Sequence, residues 1–297
     1  MIITGKTQGR FTQFEVLNAS GEVVRTYEPF NNHITDLGLN LMGTESDWLK
    51  EVFLGTGNTP PSDSDVALEL MVATNNAPTT ITEGVNQQAP YAVYKEVRWT
   101  VGPFSEERDL TEVGVGVDQN QLYSRTLIKN SSNAAIVVKV LEGEYVRVTY
   151  RNTAEISADS VTGSFQATIK GVDTTVTTTS RAAKATDVNT WKLPRKSDFI
   201  KEVRVYAGAI GDVTAVPSGV NAVVADVVAR PYDAVAAPYT QFFDVTIPAA
   251  AGNLAGGKIT SVLAETGLGA MQIQFSPAFE KDANISMTLE LATRWMR

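Results

Sequence analysis

The chain's one histidine, His33, follows Asn31 and Asn32 directly and has no partner at a catalytic or metal-ligand spacing. A Ser-His-Asp relay or a histidine-anchored metal site needs further groups at set positions. Alone, His33 reads as a helix-entry or turn residue. The other group able to do chemistry is Glu106-Glu107-Arg108-Asp109 with Glu112, where two carboxylates at the right separation could cleave a glycosidic bond as acid and nucleophile. The run lies beside Gly102-Pro103 and has no aromatics interleaved, so it reads as a solvated loop. Asp63-Ser64-Asp65 has the i, i+2 oxygen spacing of a calcium loop without that loop's glycine and distal glutamate, and helix capping accounts for it. Gly55-Thr56-Gly57-Asn58 lacks the Lys-Ser/Thr pair of a phosphate loop and is followed by Pro60-Pro61, which leaves a tight turn. The expectation is a protein with no catalytic residues, no cofactor and no metal.

Residue types suited to contact rather than catalysis stand elsewhere. Trp48, Trp99, Trp191 and Trp295 are spread without a repeat, which argues against a base-stacking platform and for core or interface positions. The C-terminus reads Arg294-Trp295-Met296-Arg297, an aromatic between arginines, a composition enriched at protein interfaces. Arg294, Trp295 and Arg297 are therefore interface candidates. Tyr232 and Tyr239, beside Pro231 and Pro238, join them as aromatics able to line a receptor or glycan site.

Composition narrows the classes further. Lys plus Arg number 25 against 33 Asp plus Glu, a formal net charge of -8, so no basic field draws in a nucleic-acid backbone. Cysteine is absent, which removes disulfides and thiolate chemistry together. No stretch approaches the roughly 20 apolar residues of a membrane-spanning helix, and the first residues lack a secretory pattern.

The elements that must position these residues are mostly strands. Val93, Val97, Trp99 and Val101 share one face of an alternating segment interrupted by Lys95; Val146, Val148 and Tyr150 share another; Ile285, Met287, Leu289 and Leu291 a third. Val113 to Val117, Leu122 to Lys129 and Ile136 to Val140, separated by Asp118-Gln119-Asn120-Gln121 and Asn130-Ser131-Ser132-Asn133, predict an antiparallel meander. Phe199 to Tyr206, Phe243 to Ile247 and Met271 to Phe275 alternate in the second half. Ile34, Leu37 and Leu41 predict a short helix over 34–42 capped by Gly43, and Pro60 to Asp63 before Val66 to Leu70 predict a second. Thr174 to Ser180 suits strand or loop equally, and 208–238 reads as long loops or as strands packed on a neighbouring copy. The fold class is thus mainly β: two antiparallel β-sandwich-like domains over 1–155 and 156–297, with one or two short helices in the N-terminal half.

The order of certain segments resembles minor structural proteins of tailed bacteriophage virions. Phe30 to Leu39 followed by Phe53 to Ser62, then Leu110 to Gly116, Leu122 to Ile128 and Glu144 to Tyr150 follow that order, with Phe275-Ser276-Pro277, Lys281 and Trp295 to Arg297 similar to its last strand. The resemblance covers 30–150 and, loosely, the last 25 residues. It implies a non-enzymatic component of the tail, collar, baseplate or fibre attachment region, made in the host cytoplasm and located in the virion. Its partners would be copies of itself and other virion proteins, with a host surface glycan or receptor as the alternative, and neither nucleic acid nor membrane insertion. Capsid decoration and polysaccharide cleavage through Glu106, Glu107 or Glu112 are the rival readings.

Overall fold

The computed structural model describes residues 2–169, 171–193, 200–224, 226–266 and 269–297. The protein is mainly β, and its strands gather into two compact units. One unit comprises 7–83, 94–154 and 296–297; the other comprises 1–6, 84–93 and 155–295.

The strands contributing to the first unit are β1 (Ile2–Leu17), β2 (Val23–Tyr27), β3 (Phe30–Asn31), β4 (His33–Ile34), β5 (Glu51–Gly55), β6 (Met71–Asn75), β7 (Thr80–Val85), β8 (Ala92–Val101), β9 (Arg108–Leu110), β10 (Glu112–Asp118), β11 (Gln121–Leu127), β12 (Val138–Val140) and β13 (Tyr145–Glu155). Helix α1 (Asp36–Thr44) lies between β4 and β5. One sheet is built around β1, with β2 and β3 folded back on it and β13, β8 and β7 following in order. A second sheet runs β4-β11-β10-β5-β6. Their facing sides meet in a sandwich whose centre is aromatic: Tyr123 of β11 lies edge-on to Tyr150 of β13 with ring centroids 6.5 Å apart, and Tyr150 lies against Phe11 of β1 at 5.0 Å.

The polar ends of these rings are satisfied inside the core. The Tyr123 hydroxyl donates to Asn152 Oδ1 at 3.0 Å, and Asn152 Nδ2 donates to Thr7 Oγ1 at 2.9 Å. A buried hydroxyl or amide without a partner would cost roughly 1 to 3 kcal/mol, so the network fixes how the two sheets meet. Burial raises the pKa of both tyrosines well above the ordinary phenol value, and both stay neutral.

The alternating segments at 93–101 and 146–150 lie in β8 and β13, with the named residues buried. Lys95, which broke the apolar face, reaches Asp47 with Nζ to Oδ1 at 3.0 Å. Four expectations are corrected. The helix runs 36–44 because Thr35, not an earlier residue, caps it: Thr35 Oγ1 accepts the Gly38 N–H at 2.8 Å. Gly43 lies inside its last turn, and the closing bond is from the Glu45 N–H to the Leu41 carbonyl. No helix forms over 62–70; the segment turns tightly, with Asp65 Oδ2 accepting the Ser62 N–H at 2.8 Å. The meander stops after two strands, since β12 pairs with β9 and the turn at 130–133 is closed by a single bridge between Lys129 and Ala135.

The second unit holds β14 (Val161–Ile169), β15 (Val172–Ala183), β16 (Ile200–Tyr206), β17 (Asn221–Val224), β18 (Asp226–Ala229), β19 (Thr240–Ile247), β20 (Lys258–Thr266), β21 (Gly269–Glu280) and β22 (Met287–Met296). A six-stranded sheet runs β14-β15-β21-β20-β16-β17, and β18, β19 and β22 run side by side in another. The Thr-rich stretch is strand, and 208–238 is mostly loop with two four-residue strands. Phe199 lies outside the described residues, and Ile285 precedes β22 instead of opening it. Gln272, on β21, holds the loop after β16: its Oε1 accepts the Gly211 N–H at 2.7 Å, and its Nε2 donates to the Ala182, Gly211 and Asp212 carbonyls.

Candidate interaction surface

The five interface candidates separate into two groups. In the second unit, Trp295 on β22 is 1 % exposed and stacks on Tyr232 with centroids 5.8 Å apart and planes 22° from parallel. The Trp295 backbone N–H donates to the Tyr239 carbonyl at 3.0 Å, and the Tyr239 N–H donates to the Tyr232 hydroxyl at 3.0 Å. The three aromatics named from sequence therefore meet, but as a clasp that closes the loop between β18 and β19 on β22. Trp295 is packed among its own chain's side chains and offers no face to a partner; the two tyrosines are half-buried. Arg294, one position earlier, alternates outward and is exposed, opposite Thr240 in the strand register.

Arg297 belongs to the first unit. Its Nη1 donates to Asp36 Oδ1 at 2.8 Å and to the Ile34 carbonyl at 3.3 Å, and its Nη2 lies 2.6 Å from Asp63 Oδ2. Asp63 Oδ1 in turn lies 2.8 Å from His33 Nε2. The lone histidine and one of the paired aspartates are thus links in a chain of charge-assisted bonds that ties three distant segments together. His33 and Arg297 of this chain line a cleft of about 590 Å³ that also presents Thr7, Arg10, Thr12 and Arg151. Arg151 is held by Glu96 at 2.9 Å and lies over the Tyr94 ring at 4.4 Å. Its charge is balanced by Glu96, as that of Arg297 is by Asp36 and Asp63.

The acidic run does not assemble. Glu106 pairs with Arg108, and Glu107 with Lys139, both on the surface. Glu112 points the other way and is fully buried on β10, 3.1 Å from Arg125 Nη2. Its oxygens accept the backbone N–H groups of Gly57 at 3.1 Å, Leu70 at 2.8 Å and Glu69 at 3.2 Å. Asp65 completes the group, with Oδ2 2.9 Å from Arg125 Nη1. Glu112 anchors the 57–70 loop, and Gly55-Thr56-Gly57-Asn58 is the start of that loop. No family model, curated protein or solved structure matches the chain.

The surface that sequence reasoning missed lies on the second unit. Each of its outermost strands carries an exposed valine: Val161 on β14 is 65 % exposed, Val228 on β18 63 %, and Val223 on β17 47 %. The signal was present in the alternation of Val161 to Ile169, but only the sheet order tells an edge strand from an inner one.

Proposed function

We propose that this chain is a non-enzymatic structural component of a tailed bacteriophage virion, assembling in multiple copies in the tail, collar, baseplate or fibre attachment region. The observation that carries the reading is the exposed valine on each outermost strand of the second unit, Val161 on β14, Val223 on β17 and Val228 on β18. An edge presents unpaired backbone donors and acceptors, and proteins that work alone blunt it with lysine, proline or a covering loop. Apolar side chains left beside open edges fit a chain whose neighbours complete it. The segment order over 30–150 supports the same assignment, and symmetry multiplies contacts that are individually weak. Mass spectrometry of purified particles should find the chain in stoichiometric, multiple copies, and density for it should appear at the tail end of the particle map. Its absence from purified particles overturns the assignment.

A further inference from the structure

Among the outer strands of the second unit, β14 stands apart by length and chemistry. It has nine residues where β17 and β18 have four, and none of the nine is charged or proline. Its register with β15 is unbroken from Val161 opposite Ser180 to Ile169 opposite Val172, with Gly171 at φ +80° in the turn. In a hairpin closed this tightly the pair next to the turn exchanges both hydrogen bonds, and the pattern alternates from there. Val161, Gly163, Phe165, Ala167 and Ile169 therefore bond to β15. The N–H and C=O groups of Thr162, Ser164, Gln166 and Thr168 point to the open side.

The nine residues also read alike from either end. Val161-Thr162-Gly163-Ser164-Phe165-Gln166-Ala167-Thr168-Ile169 gives β-branched aliphatic, threonine, small, polar, phenylalanine, polar, small, threonine, β-branched aliphatic. An antiparallel pair of such strands related by a twofold axis at Phe165 sets like against like: Val161 faces Ile169, Thr162 faces Thr168, Gly163 faces Ala167, and Ser164 faces Gln166. The outward groups of one strand then fall opposite those of the other, satisfying all four outward positions on each strand. Two copies of a chain with net charge -8 can meet here without placing like charges opposite one another. Phe165 stacks on Phe279 with centroids 6.3 Å apart and lines a mixed groove of about 230 Å³ with Ala167, Met287, Leu289 and the polar Thr168 and Glu280. In the twofold register a second copy's Phe165 lies on the same face, beside this groove.

We infer that β14 is a self-pairing edge, through which two copies of this chain join their six-stranded sheets into one continuous antiparallel sheet. This deepens the multi-copy reading above and rests on it. A strip roughly 30 Å long and about 10 Å thick is a small contact, near or below the lower limit of about 1,200 Å² for specific interfaces. The isolated dimer is accordingly weak and reversible, an isologous contact suited to assembly.

The chain has no cysteine, so introduced ones report register directly. In mild oxidant an equimolar mixture of Thr162→Cys and Thr168→Cys chains should give a covalent dimer, while either alone stays a monomer on non-reducing gels. Sedimentation of the parent from about 1 to about 500 µM should show monomer giving way to dimer. The Ser164→Lys/Gln166→Lys variant, which sets lysine against lysine across the axis, should remain monomeric with an unchanged melting temperature. Three results overturn the inference: a parent that stays monomeric throughout, Thr162→Cys chains that cross-link to each other as readily as to Thr168→Cys chains, or a lysine variant that dimerises like the parent. Should the lysine variant not fold, the cysteine mixture decides alone. A chain that fails these tests yet is found in particles refutes the edge and leaves the virion assignment standing.

Discussion

Glu112 is fully buried, and Arg125 with the backbone N–H groups of Gly57, Glu69 and Leu70 supplies the hydrogen bonds that water would otherwise make. Arg125 is nearly as buried, and breaking a buried pair of this kind by removing one member costs about 3 to 5 kcal/mol. Glu112→Ala should therefore lower unfolding free energy in urea by at least about 3 kcal/mol, since Asp65 and the Thr59 carbonyl still reach Arg125 but the Gly57, Glu69 and Leu70 N–H groups lose their acceptor. It should also release the 57–70 loop, seen as faster amide exchange at Gly57 and Leu70. A loss near 0.5 kcal/mol, the size of a surface pair, would contradict this account. Asp187 makes the complementary test in the second unit. The hydrogen bond from Thr190 Oγ1, 2.8 Å, with one from the Asn189 N–H, 2.9 Å, holds its carboxyl below the usual range. A carboxylate favoured by folding adds stability that is present above the unfolded value near 3.9 and is lost as pH falls through the lower folded value. The stability gap between the parent and Asp187→Asn should be open at pH 7 and close as the pH drops below about 4; a gap that widens on acidification would reverse the sign.

Strands were legible where one face is buried and the other wet, as in β8 and β13. They were obscured where the interior itself is polar or glycine-lined. The longest strand, β1, shows no clean alternation because Thr7 and Gly9 occupy its inner face. Gly9 is there because a Cβ would overlap the Tyr150 hydroxyl, a partner more than a hundred residues away. The absent second helix and the truncated meander have the same origin: Glu112 gathers the 57–70 backbone, and β9 captures β12, through contacts that no local pattern encodes. The clustering of Tyr232, Tyr239 and Trp295 likewise comes from strand pairing, while their composition alone suggested a surface. Gly38 sets local preference against packing. Alanine in a helix interior gains about 1 kcal/mol over glycine, but a Cβ on Gly38 would overlap the backbone carbonyl of Tyr123 on β11. A backbone atom in an inner strand cannot rotate aside, and overpacking costs roughly 1 to 3 kcal/mol. Gly38→Ala should therefore destabilise the protein, read as a lowered melting temperature; a raised one would show that α1 can slide off β11.

At the scale of the whole molecule, charge and shape are assigned to different places. The formal charge of -8 is carried outside the nine residues of β14, so the field that keeps copies apart in solution and the edge that joins them do not compete at contact distance. The two effects differ in range. Repulsion between copies acts over the Debye length, about 10 Å at 0.1 M salt, whereas backbone pairing acts only at contact. Added salt shortens the repulsion and leaves the neutral backbone pairing untouched. Self-association should then strengthen or hold constant between about 50 and 500 mM sodium chloride, measured as the sedimentation dissociation constant at fixed pH. An interface built on Arg294 or on the arginines of the cleft would behave in the opposite way, because its ion pairs are screened together with the repulsion. A dimer that dissociates as salt rises would move the contact from the neutral edge to those arginines, and the direction of the salt dependence alone distinguishes the two surfaces.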